Sequence, residues 1–331
     1  MGEAVLRFGI VGTGGMGGVH LREINARQDA RVAALCDVSE TALERTRAAL
    51  GERAVGVTSF TDLHRMLAEA DLDAVVVATP HTQHAGHVTA ALERGLHVLV
   101  EKPMATTAAD ARAIIAKAEG AGRVVAIAYQ RHGSPTYKRA HEAIASGAIG
   151  DIRLVTVLIA QDCLANFLPG RTWRADPALS GGGHFMDTGS HINDMMLWVS
   201  GLRPEAVCAQ IDRFGTLVDV CTALTIRFDN GAVGTFAATA LSPEWREEFS
   251  FYGTKGVLNI RDGNLRLQIK GQDGVALVGE GDAIRPVEDF IATVRGQKPA
   301  PQAPPLYGLR VAQISEAAYK SAESGRVERV G

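Results

Sequence analysis

No apolar run in this chain approaches the roughly 20 residues that a helix needs to cross a bilayer, so a membrane span is not expected. A basic block is missing too: 34 lysines and arginines stand against 37 aspartates and glutamates, for a net charge of −3. Nucleic acids and anionic membrane surfaces both recruit concentrated positive charge, so neither is expected as a partner. The four cysteines (Cys36, Cys163, Cys208 and Cys221) form no CxxC pair and no metal-like spacing. They read as small core residues in a reducing compartment. Nor does the N-terminus resemble a signal peptide, since a charged residue, Glu3, leads directly into an apolar, strand-like run. A cytoplasmic location is the expectation.

What the chain does have is size and apolar content. Its 331 residues exceed one typical core, so two domains are expected. Hydrophobic residues at 46% and charged residues at 21% fit a globular protein.

The most informative stretch lies near the start. An apolar run over residues 5–11 meets Gly12-Thr13-Gly14-Gly15-Met16-Gly17, and a helical-looking segment over 19–26 follows. Strand, glycine turn and helix in that order are what a dinucleotide pyrophosphate needs. Gly12 permits the tight turn, Gly14 lets the backbone approach the phosphates, and Gly17 lets the helix lie against the strand. The helix N-terminus then presents free N–H groups to the anion. A second apolar run ends in Asp37, 20 residues after Gly17. A carboxylate there accepts hydrogen bonds from the adenosine ribose. The plainer reading is an ordinary strand–turn–helix in which Asp37 caps the helix from Thr41.

Strand-like and helical segments then alternate. A helix is expected over 40–50, a short strand over 54–57, a capped helix over 61–68, and a β-branched strand over 72–78 that ends at Thr79-Pro80. Such a continuous apolar strand is covered on both faces. A helix over 84–94, the strand His97–Val100 running into Glu101-Lys102-Pro103, the helix Ala108–Ala121 and a strand over 124–128 complete this half. The alternation predicts a parallel sheet with right-handed crossovers, whose ligands sit beyond the strand C-termini. The glycine turn, Asp37, Ala78-Thr79-Pro80 and Glu101-Lys102-Pro103 all fall on that edge. Lys102, at the end of a buried strand, needs a cleft or a partner to offset its desolvation; the plainer alternative is a surface lysine paired with Glu101. His81, His84 and His87 recur every three residues, but they straddle a proline-led helix start. Helix-capping or solvent-facing roles are expected for them rather than a metal site.

From Tyr129 the pattern changes, which places one domain at 1–128 and a second at 129–331. A helix over 134–146 and a long strand over 152–160 precede an irregular stretch, 163–179, that contains Trp173-Arg174. Strands over 207–211, 220–228, 232–240, 248–252, 257–260 and 265–270 are joined by hairpin signals such as Asp229-Asn230-Gly231. Helices over 284–295 and 307–324 flank a proline-rich linker. The expectation is an α+β domain with a large, mostly antiparallel open sheet. A broad open face is often buried by another subunit, so a homo-oligomer, dimer or tetramer, is expected.

Within this half, Gly181-Gly182-Gly183 leads into His184, Asp187, His191 and Asp194, which form one stripe on a helix. Met195, Leu197, Trp198 and Val199 supply the buried side. Three readings stay open: a solvated polar face, a zinc site built from Asp and His at helical spacing, or acid–base chemistry. In the last, a histidine titrates near neutrality and an aspartate one turn away orients it. No further ligand cluster is evident, so no metal is expected.

These motifs, in this order, resemble one family: the glucose–fructose oxidoreductase, inositol dehydrogenase and rhizopine-catabolism (Gfo/Idh/MocA) family. The resemblance rests on the GxGxxG turn, Thr79-Pro80 with His84, Glu101-Lys102-Pro103, the glycine-led Asp187-x-x-x-His191 helix, Tyr252-Gly-Thr-Lys-Gly256 and the closing segment 321–325. It spans nearly the whole chain. It implies an α/β protein, with an N-terminal Rossmann dinucleotide-binding domain followed by the open-sheet domain, that oxidises or reduces a sugar or cyclic polyol. Lys102, Asp187 and His191 then match the catalytic set: His191 as general base, Asp187 holding the hydroxyl or the imidazole, Lys102 stabilising the alkoxide. That assignment requires folding to bring Lys102 and the Asp187–His191 helix to the same side of a bound nicotinamide. Gly12, Thr13, Gly14, Gly15, Met16, Gly17, Asp37, Ala78, Thr79, Pro80, His84, Glu101 and Lys102 match the cofactor positions. Asp37 favours NAD, because a carboxylate repels a 2′-phosphate and no arginine follows at Val38, Ser39 or Glu40; Ser39 still leaves room for NADP. Tyr129, Arg131, Trp173, Arg174 and His184 resemble substrate-facing positions. Redox-neutral glycoside cleavage, reduction of an imine or other double bond, and non-catalytic ligand sensing are the alternatives on such a fold.

Overall fold

The computed structural model describes residues 4–331; Glu3, on which the expectation about a signal peptide rests, lies outside them. Two compact units make up the chain. The first opens with β1 (Leu6–Val11), α1 (Gly15–Asn25), β2 (Ala30–Cys36), α2 (Glu40–Leu50), β3 (Thr58–Phe60) and α3 (Leu63–Glu69). It continues with β4 (Ala74–Val77), α4 (His84–Glu93), β5 (His97–Val100), α5 (Ala108–Ala121) and β6 (Val125–Ile127). Its six strands pair in parallel in the order β3-β2-β1-β4-β5-β6. The direction of winding reverses between β1 and β4, and the crevice at such a switch point is where open α/β sheets bind ligands. β4 is buried along its whole length, as its β-branched run anticipates for a strand covered on both faces. The strand expected over 54–57 is displaced. Gly51–Ala54 is a single 3₁₀ turn, Gly56 takes φ +78°, and pairing begins only at Thr58 opposite Ala34. Partner register, not local apolar content, sets that strand.

The second unit carries α6 (Pro135–Ala145), β7 (Ile152–Asp162), the one-turn α7 (Pro177–Ser180) and α8 (His184–Ser200). Then follow β8 (Pro204–Asp212), β9 (Cys221–Phe228), β10 (Val233–Thr239), β11 (Leu241–Gly253), β12 (Gly256–Arg261), β13 (Asn264–Ile269) and β14 (Val275–Leu277). The chain closes with α9 (Pro286–Val294), α10 (Pro305–Ser324) and β15 (Glu328–Arg329). Nine strands form one sheet, β14-β13-β12-β11-β7-β10-β9-β8-β15, antiparallel except where β10 meets β7. Period-two alternation decides its two faces: Val155, Val157 and Ile159 of β7 are buried, whereas Leu154, Thr156 and Leu158 are only partly so. The buried face shares a core with Phe185, Ile192 and Met196 of α8 and with Ile314 and Ala318 of α10. Phe185 meets Phe236 edge to face at 5.3 Å between centroids.

A single boundary at 128/129 does not describe this division, because residues 285–305 return to the first unit. Val287, Phe290 and Ile291 of α9 pack with Phe8, Ile10 and Leu99, and Phe290 sits edge-on to Phe8 at 6.0 Å. Among the described residues no helix is long and apolar enough to cross a membrane.

Candidate active site

In the first unit the glycine turn is shaped by close backbone approach. Gly12 has φ +86°, and a Cβ there would press on the carbonyl of Ala78 and the amide of Thr79. A Cβ on Gly17 would overlap the carbonyl oxygen of Gly12, so only glycine lets α1 start this close to β1. At Gly14 and Gly15 the opposite holds, with no atom within 4 Å of a built Cβ. The turn is thus tight on its inner side and open at the start of α1, where helix N–H groups favour an anion. Met16 lies at this rim, 44% exposed. A dinucleotide pyrophosphate fits this arrangement.

Asp37 fastens the turn to the end of β2. Its Oδ2 accepts from the Thr13 amide at 2.8 Å and from Thr13 Oγ1 at 2.9 Å, and its Oδ1 accepts from the Ser39 amide at 3.0 Å. The cap of α2 is Ser39, whose Oγ accepts from the Ala42 amide. Asp37 is therefore not that helix cap.

None of the three histidines caps α4, and two of them are closed off from solvent. His81 and His84 are buried. His84 Nε2 lies 2.7 Å from the Thr79 carbonyl oxygen and its Nδ1 2.7 Å from that of Pro103, so one ring joins the ends of β4 and β5. His87 Nδ1 lies 3.0 Å from Thr79 Oγ1. Burial pulls both imidazoles down, His87 to about 4. Glu101 is buried as well, with Oε1 2.7 Å from His20 Nε2 and Oε2 accepting from the Lys102 amide. Burial alone raises its carboxyl; the His20 hydrogen bond and the nearby His20 and Lys102 charges outweigh that and hold it below the usual range. His20 has no motif signal beyond its place one turn after Gly17.

In the second unit everything turns on α8. Fourteen of its 17 residues are buried, and only Thr188, His191 and Trp198 are partly open. The expected polar stripe is therefore open in its middle only. Asp194, at 1% exposure, belongs to the core: its carboxylate lies 2.9 Å from His132 Nε2, and the His132 ring lies 4.2 Å from that of Trp198. Burial raises the Asp194 carboxyl while His132 works against it. Asp187 accepts from Arg174 Nε at 2.6 Å, and the Arg174 guanidinium lies over the Trp173 ring at 4.5 Å. His184 Nε2 lies 2.8 Å from Gln161 Oε1, which also accepts from Thr188 Oγ1 at 3.0 Å. Asp187, Trp173, Arg174 and His184 are thus gathered along one helix. Arg131 is drawn elsewhere, into an ion pair with buried Glu247, which also accepts from the Tyr137 hydroxyl. Tyr129 is buried at the end of the first unit.

The first turn of α8 has no side-chain cap of its own. Asp219 supplies one from 36 residues away: its carboxylate accepts from the amides of Gly183 and Phe185, each at 2.7 Å, and from the Tyr319 hydroxyl at 2.6 Å. A Cβ on Gly182 would overlap the Tyr319 hydroxyl, and one on Gly183 the Asp219 backbone. Gly183, at the cap position, has no side chain to accept these bonds, and nothing in the sequence points to Asp219 as the residue that does. Among the described residues no group of three or more His, Cys, Asp or Glu is placed to hold a metal.

Residues 6–129 match the GFO_IDH_MocA model, described as an oxidoreductase family with an NAD-binding Rossmann fold, and residues 137–259 match the GFO/IDH/MocA C-terminal domain. D-glucoside 3-dehydrogenase of Escherichia coli (strain K12) is 28% identical over 99% of this chain and 99% of its own. Inositol 2-dehydrogenase 1 of Saccharopolyspora erythraea is 40% identical over 45% of this chain and 44% of its own. The crystal structure of the WlbA dehydrogenase from Bordetella pertussis, in complex with NADH and UDP-GlcNAcA, superposes with a TM-score of 0.86 at 26% identity, covering 99% of both chains.

Proposed function

The chain belongs to the GFO/IDH/MocA family of NAD-binding oxidoreductases, and from that premise we propose that it acts on a carbinol carbon of a sugar or cyclic polyol, inositol-like in its array of hydroxyls. The full-length relative named for a D-glucoside and the partial one named for inositol support this substrate class. One observation carries the chemistry: a helix buried almost throughout reaches solvent at Thr188 and His191, one turn from the Arg174-bound carboxylate of Asp187.

A bound NAD would supply the hydride acceptor for the carbinol carbon. His191 is the general base that receives the hydroxyl proton, the role of a group titrating near neutrality. Asp187, ion-paired with Arg174, orients the hydroxyl or the imidazole. Lys102 stabilises the negative charge that grows on oxygen. Gly12 to Gly17 and Asp37 hold the dinucleotide, with Ala78, Thr79, Pro80, His84 and Glu101 toward its nicotinamide half. Asp37 selects NAD through the ribose hydroxyls, and Trp173 and His184 face the substrate. A homo-oligomer, dimer or tetramer, formed through the less buried face of the nine-stranded sheet would cover the partly buried Leu154 and Leu158; light scattering after gel filtration tests it.

The test is a panel of inositols, aldoses and sugar acids, read by reduced-nicotinamide absorbance with NAD and NADP in parallel. Lys102→Ala and His191→Ala are expected to keep NADH affinity and lose at least about 100-fold in turnover. Near-normal turnover in either variant removes that residue from the mechanism. Glycoside cleavage without net NADH, or activity on imines alone, replaces the dehydrogenase reading.

A further inference from the structure

Gln161 belongs to none of the motifs above, yet its side chain meets Thr188, one of the three partly open residues of α8. It is the tenth residue of β7, half-buried, and its side-chain oxygen is spoken for. His184 Nε2 lies 2.8 Å from Oε1 and Thr188 Oγ1 donates to it at 3.0 Å, while the Cys163 thiol approaches at 3.8 Å. Burial pushes the Cys163 thiol up to about 11, so it stays protonated and can only donate weakly there. An amide oxygen has two lone pairs; the Thr188 hydroxyl fills one, and the His184 imidazole in its Nε2–H tautomer fills the other. That fixes which way the amide faces. The Nε2 group, with two N–H donors, then points away from His184 and Thr188 and makes no hydrogen bond to any other described residue.

The neighbours define what those donors meet. Thr188 precedes His191 by three residues, about 4.5 Å along a helix axis, and both lie on the side of α8 that is open. His184 is held on its far side by the edge of buried Phe167, with ring centroids 5.9 Å apart, and its backbone amide donates to the Asp219 carbonyl. The imidazole that orients Gln161 is therefore rigid. A neutral amide donor in such a setting suits a neutral oxygen better than a carboxylate, which draws a charged partner.

We propose that Gln161 is a specificity-determining residue whose Nε2 donates to a substrate hydroxyl oxygen next to the one His191 deprotonates. This rests on the proposed function above and deepens it: the substrate carries at least two neighbouring hydroxyls, and the second is read by an amide. A site built to hydrogen-bond a hydroxyl discriminates against the analogue that lacks it, because the donor is then left without its partner.

The experiment crosses residue with substrate. Gln161→Glu keeps an oxygen for His184 and Thr188 and removes the donors; Gln161→Met, close in size, removes both and serves if the first variant does not fold. Each is assayed for kcat/KM on the best polyol of the panel and on its single-deoxy analogues, with NADH binding and Tm measured alongside. The expected result is a loss of about 10-fold on the parent, the worth of one neutral hydrogen bond, that disappears for one deoxy analogue only. A purely structural role, or a changed His191 titration in the glutamate variant, lowers every substrate by the same factor; that uniform pattern overturns the inference. An inactive wild type across the whole panel overturns the proposed function, and this inference with it.

Discussion

Replacing Asp219 by asparagine tests how α8 is held. The carboxylate is 3% exposed and accepts three hydrogen bonds, from the amides of Gly183 and Phe185 and from the Tyr319 hydroxyl. Asparagine offers one acceptor oxygen, so its NH2 must face an N–H or O–H donor on the other side. One buried donor then goes unpaired, which costs about 1–3 kcal/mol. The negative charge opposite the positive end of the helix dipole also disappears, a loss of up to about 2 kcal/mol in a buried setting. The sum, about 1–5 kcal/mol, is a sizeable share of the roughly 5–15 kcal/mol that holds a domain folded. Tyr319→Phe removes one of the three bonds and leaves the charge, so its loss is expected at about 1.5 kcal/mol. Urea unfolding measures both as a lower midpoint at unchanged slope. A loss below about 1 kcal/mol for Asp219→Asn, or equal losses in the two variants, refutes a helix anchored by this charge. Turnover is expected to fall in the asparagine variant as well, because the loosened turn carries His184 and Asp187.

Asp37→Ala is expected to narrow the preference for NAD over NADP, measured as the ratio of kcat/KM; an unchanged ratio means the carboxylate does not read the ribose. Gly17→Ala drives a methyl into the Gly12 carbonyl and is expected to weaken NADH binding at least about 10-fold by fluorescence titration, and tight binding would show that α1 can shift without harm. His87 is held neutral by burial, with its folded-state value down at about 4. The stability it contributes is thus present above its ordinary value of about 6.5 and is lost as pH falls toward 4. His87→Gln should flatten the Tm–pH curve in that window, and a curve as steep as the wild type's assigns the acid sensitivity to other groups.

The GxGxxG turn and Asp37 were legible because their logic is local: a strand, a turn and a helix within a few dozen residues, with steric demands that only glycine meets. Helical spacing likewise put His184, Asp187 and His191 on one face before any coordinates. The same spacing misjudged Asp194, because periodicity reports which residues share a face and not what covers it. His132, 62 positions away, covers Asp194 and turns a supposed surface carboxylate into a core anchor. The histidine triplet failed for the same reason: proximity to a proline-led helix start suggested solvent, and the carbonyls of Thr79 and Pro103 claimed His84 instead.

From its order of residues alone the chain determined two sheets, the glycine turn between β1 and α1, and a helix bearing imidazole and carboxylate one turn apart. These follow from short-range sterics and from apolar periodicity, which each segment carries within itself. Tertiary structure alone decided that α9 completes the first core, that Asp219 and Tyr319 anchor α8, that Glu247 claims Arg131, and that Gln161 stands beside Thr188 with its donors turned outward. Each of those is a pairing between segments far apart in the chain. Hydrogen bonds and burial choose such partners only once the sheet registers have set which side chains can meet.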